Sequence, residues 1–218
     1  MYINFEKEIK KIFEQLTDEK DNSISKHSSF VPPFNKAGKD IRLVIIGQDP
    51  TIRNEEQRKH ISVTLNLDKS GSLRKYVEEI CRGLNINLSN VYATNIFKYF
   101  YTLPPAQTFE VLEKHLSPNL ILLEKEMSNY PNCPIITLGE PVLKLLVNKK
   151  SKVRDYWGYD EKTHKSTKIF KCVLPEENKL NRIIFPFCHQ PSLRKDFYKE
   201  NLNQYIKFVK EKYAHLQL

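Results

Sequence analysis

No apolar run in this 218-residue chain approaches the ~20 residues that a membrane-spanning helix needs. The opening residues, Met1-Tyr2-Ile3-Asn4-Phe5-Glu6-Lys7-Glu8, are mixed and charged and do not read as a secretory signal. Cysteine is sparse. Cys81, Cys133, Cys172 and Cys188 stand far apart with no CxxC pair, which leaves zinc or iron–sulfur ligation little support. In an intracellular setting disulfides are not expected, and Cys133 and Cys188, which flank apolar runs, read as small core residues. There is no internal repeat and no low-complexity linker, so one domain spanning residues 1–218 is expected. Acidic residues are outnumbered: 26 Asp and Glu face 35 Lys and Arg, a net charge of +9. That balance suits a polyanionic partner such as nucleic acid, without by itself requiring one.

The chain is nevertheless rich in core-forming residues, with 40% hydrophobic positions, 12 Phe and 11 Tyr, which excludes a disordered chain. Four short apolar runs stand out: Arg42-Leu43-Val44-Ile45-Ile46, Val91-Tyr92-Ala93-Thr94, Pro134-Ile135-Ile136-Thr137-Leu138 and Arg182-Ile183-Ile184-Phe185. Apolarity without alternation is the pattern of strands buried on both faces, as in parallel sheets. Between the runs the spacing becomes helical. Phe5, Ile9, Ile12, Phe13 and Leu16 make one stripe, and Leu73, Tyr76, Val77 and Ile80 a second. Val111, Leu112, His115 and Leu116 begin a third around an expected break at Pro118. Val142 to Leu146 and Tyr198 to Tyr213 supply two more. The expected fold is α/β, a three-layer α/β/α sandwich on a short, mainly parallel four-stranded sheet.

Residues 149–171 break the rhythm with eight basic residues against three acidic ones, and Tyr156, Trp157 and Tyr159 among them. They read as a loop or hairpin leading into an extended stretch over residues 167–174. Two roles are open for it: a solvated lysine-rich insertion, or a contact for nucleic acid.

Ligands of open parallel sheets bind beyond the C-terminal ends of the strands. Those ends lead into Gly47-Gln48-Asp49-Pro50, Asn95, Gly139-Glu140-Pro141 and His189-Gln190-Pro191-Ser192-Leu193. A carboxylate at Asp49, an amide at Asn95 and an imidazole at His189 would then share one edge. Such a set can orient water, read a donor–acceptor pattern and stabilise a leaving anion.

These motifs resemble those of uracil-DNA glycosylases. Gly47-Gln48-Asp49-Pro50 after a buried strand resembles the first motif of that family. In the same order come Ser62-Val63, Ser72-Leu73, Asn95 and the loop from His189 to Leu193, with Val31-Pro32-Pro33-Phe34 ahead of them. The resemblance spans roughly residues 30 to 210. It implies hydrolysis of the N-glycosidic bond of uracil, or a related damaged base, in DNA after base flipping. Asp49 and His189 would be catalytic. Gln48, Thr51, Ile61 and Asn95 would contact the base. Ser72, Gly139, Ser192, Leu193 and Arg194 would contact DNA, with Leu193 as the wedge that fills the vacated stack. No metal or organic cofactor is implied, and the partner would be lesion-containing DNA. A monomer in the cytoplasm, at the nucleoid of a bacterium or in the nucleus of a eukaryote, is expected. A non-catalytic nucleic-acid-binding relative and a nucleoside or nucleotide hydrolase are the alternative readings.

Four positions depart from the family pattern. Thr51 stands where the family has the tyrosine that excludes a 5-methyl group. Ile61 replaces the base-stacking aromatic. Glu140 replaces a serine after the glycine, and Gln190 a proline after the histidine. The expectation is a pocket with room at C5 of a pyrimidine and weaker stacking on the base.

Overall fold

The computed structural model describes residues 3–16, 23–25, 30–36, 38, 40–50, 54–102 and 109–214. Four strands, β1 (Leu43–Gly47), β2 (Val91–Asn95), β3 (Ile135–Leu138) and β4 (Ile184–Phe187), form one sheet in the order β2-β1-β3-β4. Every neighbouring pair is parallel. All strand residues are buried, as near-continuous Val, Ile and Leu runs require when helices cover both faces.

Seven helices are described: α1 (Phe5–Leu16), α2 (Glu55–Arg58), α3 (Ser72–Gly83), α4 (Phe109–Met127), α5 (Glu140–Leu146), α6 (Val153–Tyr156) and α7 (Asp196–Ala214). Helices α3 and α7 pack together, and α4 packs with α1 and α5, giving the outer layers of an α/β/α sandwich.

Three sequence expectations are corrected. The fourth strand starts at Ile184, two residues later than the apolar run began, and includes Pro186. A proline is tolerated because β4 is an edge strand. Ile184 N donates outward to Val173 O, so the nitrogen of Pro186, two residues on, faces the same outer edge. Helix α4 does not break at Pro118 but runs through it. The Asn119 side chain donates to His115 O at 2.8 Å, satisfying a carbonyl in the disturbed turn, and also to Tyr99 Oη at 2.8 Å. Third, the basic segment opens with a short helix, α6, before the hairpin that Tyr159 and Ser166 pair to form.

The polar interior is concentrated behind β2. Lys98, 1% exposed, pairs with the fully buried Glu126 of α4 and donates to Asn95 O at 2.9 Å. Tyr92 Oη donates to Glu126 at 2.6 Å, and burial beside that carboxylate pushes the Tyr92 hydroxyl's pKa far up. Removing one partner strands the other charge in the core, so Lys98→Met should cost about 3–5 kcal/mol. Lys98→Met/Glu126→Leu should recover part of that loss. Urea denaturation of the three proteins measures both effects, and a single variant as stable as the parent would contradict the assignment.

Candidate active site

Parallel pairing puts the four strand ends on one edge. Gly47 is in register with Asn95, and Leu138 with Phe187. The order across the edge is Asn95, then Gly47-Gln48-Asp49, then Gly139, then His189. Three strand spacings make this roughly 14 Å wide.

Asn95 ends β2 and is fully buried. Its Nδ2 and Oδ1 have no hydrogen-bond partner among the described residues. Leaving both groups unpaired costs free energy, so an unpaired buried amide calls for an explanation. Gly47 makes room for it: a methyl group there would collide with Asn95 Oδ1 and come within 3.0 Å of Leu65 Cδ2. The Asn95 backbone is held from behind by Lys98 Nζ. The amide is therefore fixed at its base and free at its tip.

Asp49 is 8% exposed on the loop leaving β1, and Gln48 Nε2 donates to its Oδ1 at 2.7 Å. Gln48 is itself anchored, its carbonyl accepting Phe97 N at 2.9 Å. So the glutamine side chain holds the carboxylate of its neighbour. Thr51 lies outside the described residues.

His189 follows β4 and is exposed, yet its surroundings displace enough water to hold its pKa below the ordinary histidine value. That shift favours the neutral imidazole over the charged one. Its loop is built on three supports. Tyr76 of α3 donates to Cys188 O at 3.3 Å, Trp157 Nε1 donates to Pro186 O at 2.8 Å, and Gly139 N donates to Phe187 O at 2.8 Å. Gly139 has φ of 92°, which favours glycine, and a methyl group on it would lie 3.4 Å from His189 Cβ. Glu140 turns along α5, its carboxylate 3.9 Å from Lys144 Nζ, which offsets part of its charge near the edge.

The remaining predicted residues differ in exposure. Ser72 is exposed at the first turn of α3, Ser192 is half-buried and Arg194 is exposed. Leu193 is half-buried and packs on the rim of the core. Ile61 is half-buried just after α2, with its nitrogen bonded to Arg58 O. Arg58 pins that segment, donating to Tyr101 O at 2.8 Å beneath the Phe100 ring. Thr64 N and Oγ1 both donate to Pro32 O, joining the proline-rich stretch to the Ser62-Val63 segment.

Sequence reasoning missed Leu65, whose side chain lies over Gly47 beside the Asn95 amide. Leu65 and Asn66 both have positive φ, 58° and 53°, a costly arrangement for non-glycine residues. Asparagine tolerates that region, but nothing local marks Leu65, which the fold alone brings beside Gly47. The sequence also gives Lys98 no role, and it marks Tyr76 only as part of an apolar helix stripe and Trp157 only as part of the basic segment. Their roles arise from bonds to backbone carbonyls 3, 112 and 29 residues away in sequence.

Compared with known families, residues 34–211 match the model of the uracil DNA glycosylase superfamily. No curated protein matches the chain.

Proposed function

Because the chain belongs to the uracil-DNA glycosylase superfamily, we propose that it hydrolyses the N-glycosidic bond of uracil, or a closely related base, in DNA. The observation that carries this reading is the buried Asn95 amide. Both of its polar atoms lack partners among the described residues, and it shares the sheet edge with Asp49 and His189. Uracil offers a ring N–H donor beside a carbonyl acceptor, which is the complement of an amide. Cytosine offers an acceptor beside a donor, the reverse order, and matches the amide only if Oδ1 and Nδ2 exchange places.

The chemistry depends on where charge develops. As the C1′–N1 bond lengthens, its electrons pass to the base and the sugar becomes cationic. Asp49 stabilises that cation and orients the attacking water. A neutral His189 hydrogen-bonds the base oxygen that gains negative charge. Water adds its hydroxyl to C1′, its proton leaves by way of Asp49, and the base departs with the bonding pair. The duplex must first release the base, and Leu193 takes its place in the stack. Leu65 stands where the base would approach Asn95, so base entry displaces it and the two pack face to side. An aliphatic contact of this kind forgoes aromatic stacking worth roughly 1–3 kcal/mol.

A non-catalytic DNA-binding role is favoured by one observation: solvent does not reach the Asn95 amide with Leu65 beside it. The readings separate in one experiment. Uracil, 5-hydroxymethyluracil and thymine are placed in the same duplex context, free deoxyuridine is run alongside, and released base is measured. We expect excision of uracil, with the 5-substituted bases disfavoured by only about 10–200-fold, the discrimination that shape alone gives. Salt-dependent binding without base release would support the non-catalytic reading. Turnover of free deoxyuridine without DNA would support a nucleoside hydrolase.

A further inference from the structure

The basic segment over residues 149–171 has no part in the chemistry above, yet it is built against the same edge. Trp157 stacks on Tyr205, 4.5 Å between centroids, and donates to Pro186 O, three residues before His189. Tyr159 packs edge-on against Phe197, four residues after Leu193, at 5.0 Å. Two residues of the arm that enters the hairpin thus pack against the segment carrying His189 and Leu193, one ahead of His189 and the other beyond Leu193 in sequence.

This is an ordered element. Thr167 N donates to Gly158 O at 2.8 Å and Asp160 N to Lys165 O at 2.9 Å. Lys168 Nζ ties the outgoing strand to Asn201 Oδ1 on α7 at 2.7 Å, and the Arg154 guanidinium lies 4.4 Å from the Tyr159 ring centroid. Its three carboxylates are all engaged within the segment. Asp155 accepts Lys152 N, and Asp160 accepts the turn nitrogens of Lys162 and Thr163, which lowers its pKa. Glu161 pairs with Arg154 and Lys152. Lys162 and Lys165 remain exposed at the tip, and neither is ion-paired among the described residues.

We propose that this hairpin is a second DNA contact, which holds backbone phosphates a few base pairs to one side of the flipped nucleotide. The proposal rests on the reading that the neighbouring edge acts on duplex DNA. A hairpin arm of four residues reaches about 13 Å, the length of roughly four stacked base pairs. Two unpaired ammonium groups held at that reach suit regularly spaced phosphates. They do not suit base edges, so the contact adds affinity without sequence preference.

The test is equilibrium binding to a duplex carrying one abasic-site analogue, which cannot be turned over, across a range of salt. The proteins are wild type, Lys162→Ala/Lys165→Ala, and a control of equal charge, Lys210→Ala/Lys212→Ala. The control residues lie roughly 20 Å along α7 from Asp196. The hairpin variant should flatten the slope of log affinity against log salt by about 1.8, that is 0.9 for each lost phosphate contact, while the control leaves it unchanged. Shortening the duplex to a few base pairs on one particular side should abolish the difference between the hairpin variant and wild type. Shortening the other side should not. An unchanged slope, an equal change in the control, the same loss on every duplex, or binding to anionic phospholipid vesicles but not to DNA would each overturn the proposal. Base release is scored separately. A wild type that binds with a hairpin-dependent slope but excises nothing would defeat the glycosylase reading and leave the hairpin contact standing.

Discussion

Asp49→Asn should lower uracil excision by at least about 10²-fold, the scale on which single acid–base or electrostatic groups contribute. The substitution keeps the shape of the side chain and removes its charge. Gln48 Nε2, now 2.7 Å from Asp49 Oδ1, can still donate to the amide oxygen of asparagine, so the loop should hold its course. Affinity for uracil-containing duplex should change little or improve, because a carboxylate close to the phosphodiester chain is repulsive in the ground state. The loss belongs in the single-turnover rate and not in binding. His189→Ala should fall on a similar scale, since among the described residues no other imidazole follows a strand on this edge. Single-turnover excision and duplex affinity, measured on the same preparations, separate the two effects. A wild-type rate in Asp49→Asn would remove the carboxylate from the mechanism.

Asn95→Leu should move stability and activity in opposite directions. In the unliganded protein both amide atoms of Asn95 are buried and unpaired among the described residues, a state that costs roughly 1–3 kcal/mol. A leucine, with the same side-chain branching and number of heavy atoms, removes that cost and packs against Leu65, so the midpoint of urea unfolding should rise. Excision should fall by about 10²-fold or more, because the hydrogen bonds that select and hold the base are gone. A position serving structure alone would show the reverse, with stability lost alongside activity. Paired unfolding and excision measurements decide it. A destabilised but active Asn95→Leu would show that the amide is satisfied in solution and does not read the base.

The sheet and its candidate edge were legible because burial on both faces writes an unbroken apolar run. The strand-end rule then turns the residues after each run into candidate site residues. Asp49, Asn95 and His189 fall on that edge, with Gly139 beside His189. Other features depend on contacts that no local pattern encodes. Pro118 reads as a helix break, yet the helix continues, with the Asn119 side chain donating to the His115 carbonyl in the turn that the proline disturbs. Ile61 reads as the residue beside the base from its neighbours Ser62-Val63. The side chain found beside Asn95 is Leu65, carried there by a left-handed turn that leucine does not advertise. Lys98 reads as one lysine among many in a basic chain. It is buried because Glu126, in the following helix, supplies its counter-charge and Asn95 its acceptor. The basic hairpin was visible as composition, and the contacts of Trp157 with Pro186 and of Tyr159 with Phe197 tie it to the segment around His189.

The central claim is that this edge cleaves the bond between base and sugar in DNA. Mass spectrometry of a single-uracil duplex incubated with the wild-type protein tests it most directly. The account predicts free uracil and a strand of unbroken length that has lost the base and gained a hydroxyl, in equal amounts. It also predicts that Asp49→Asn yields neither at a comparable rate. A uracil strand of unchanged mass, after incubation with protein that demonstrably binds it, would contradict the account.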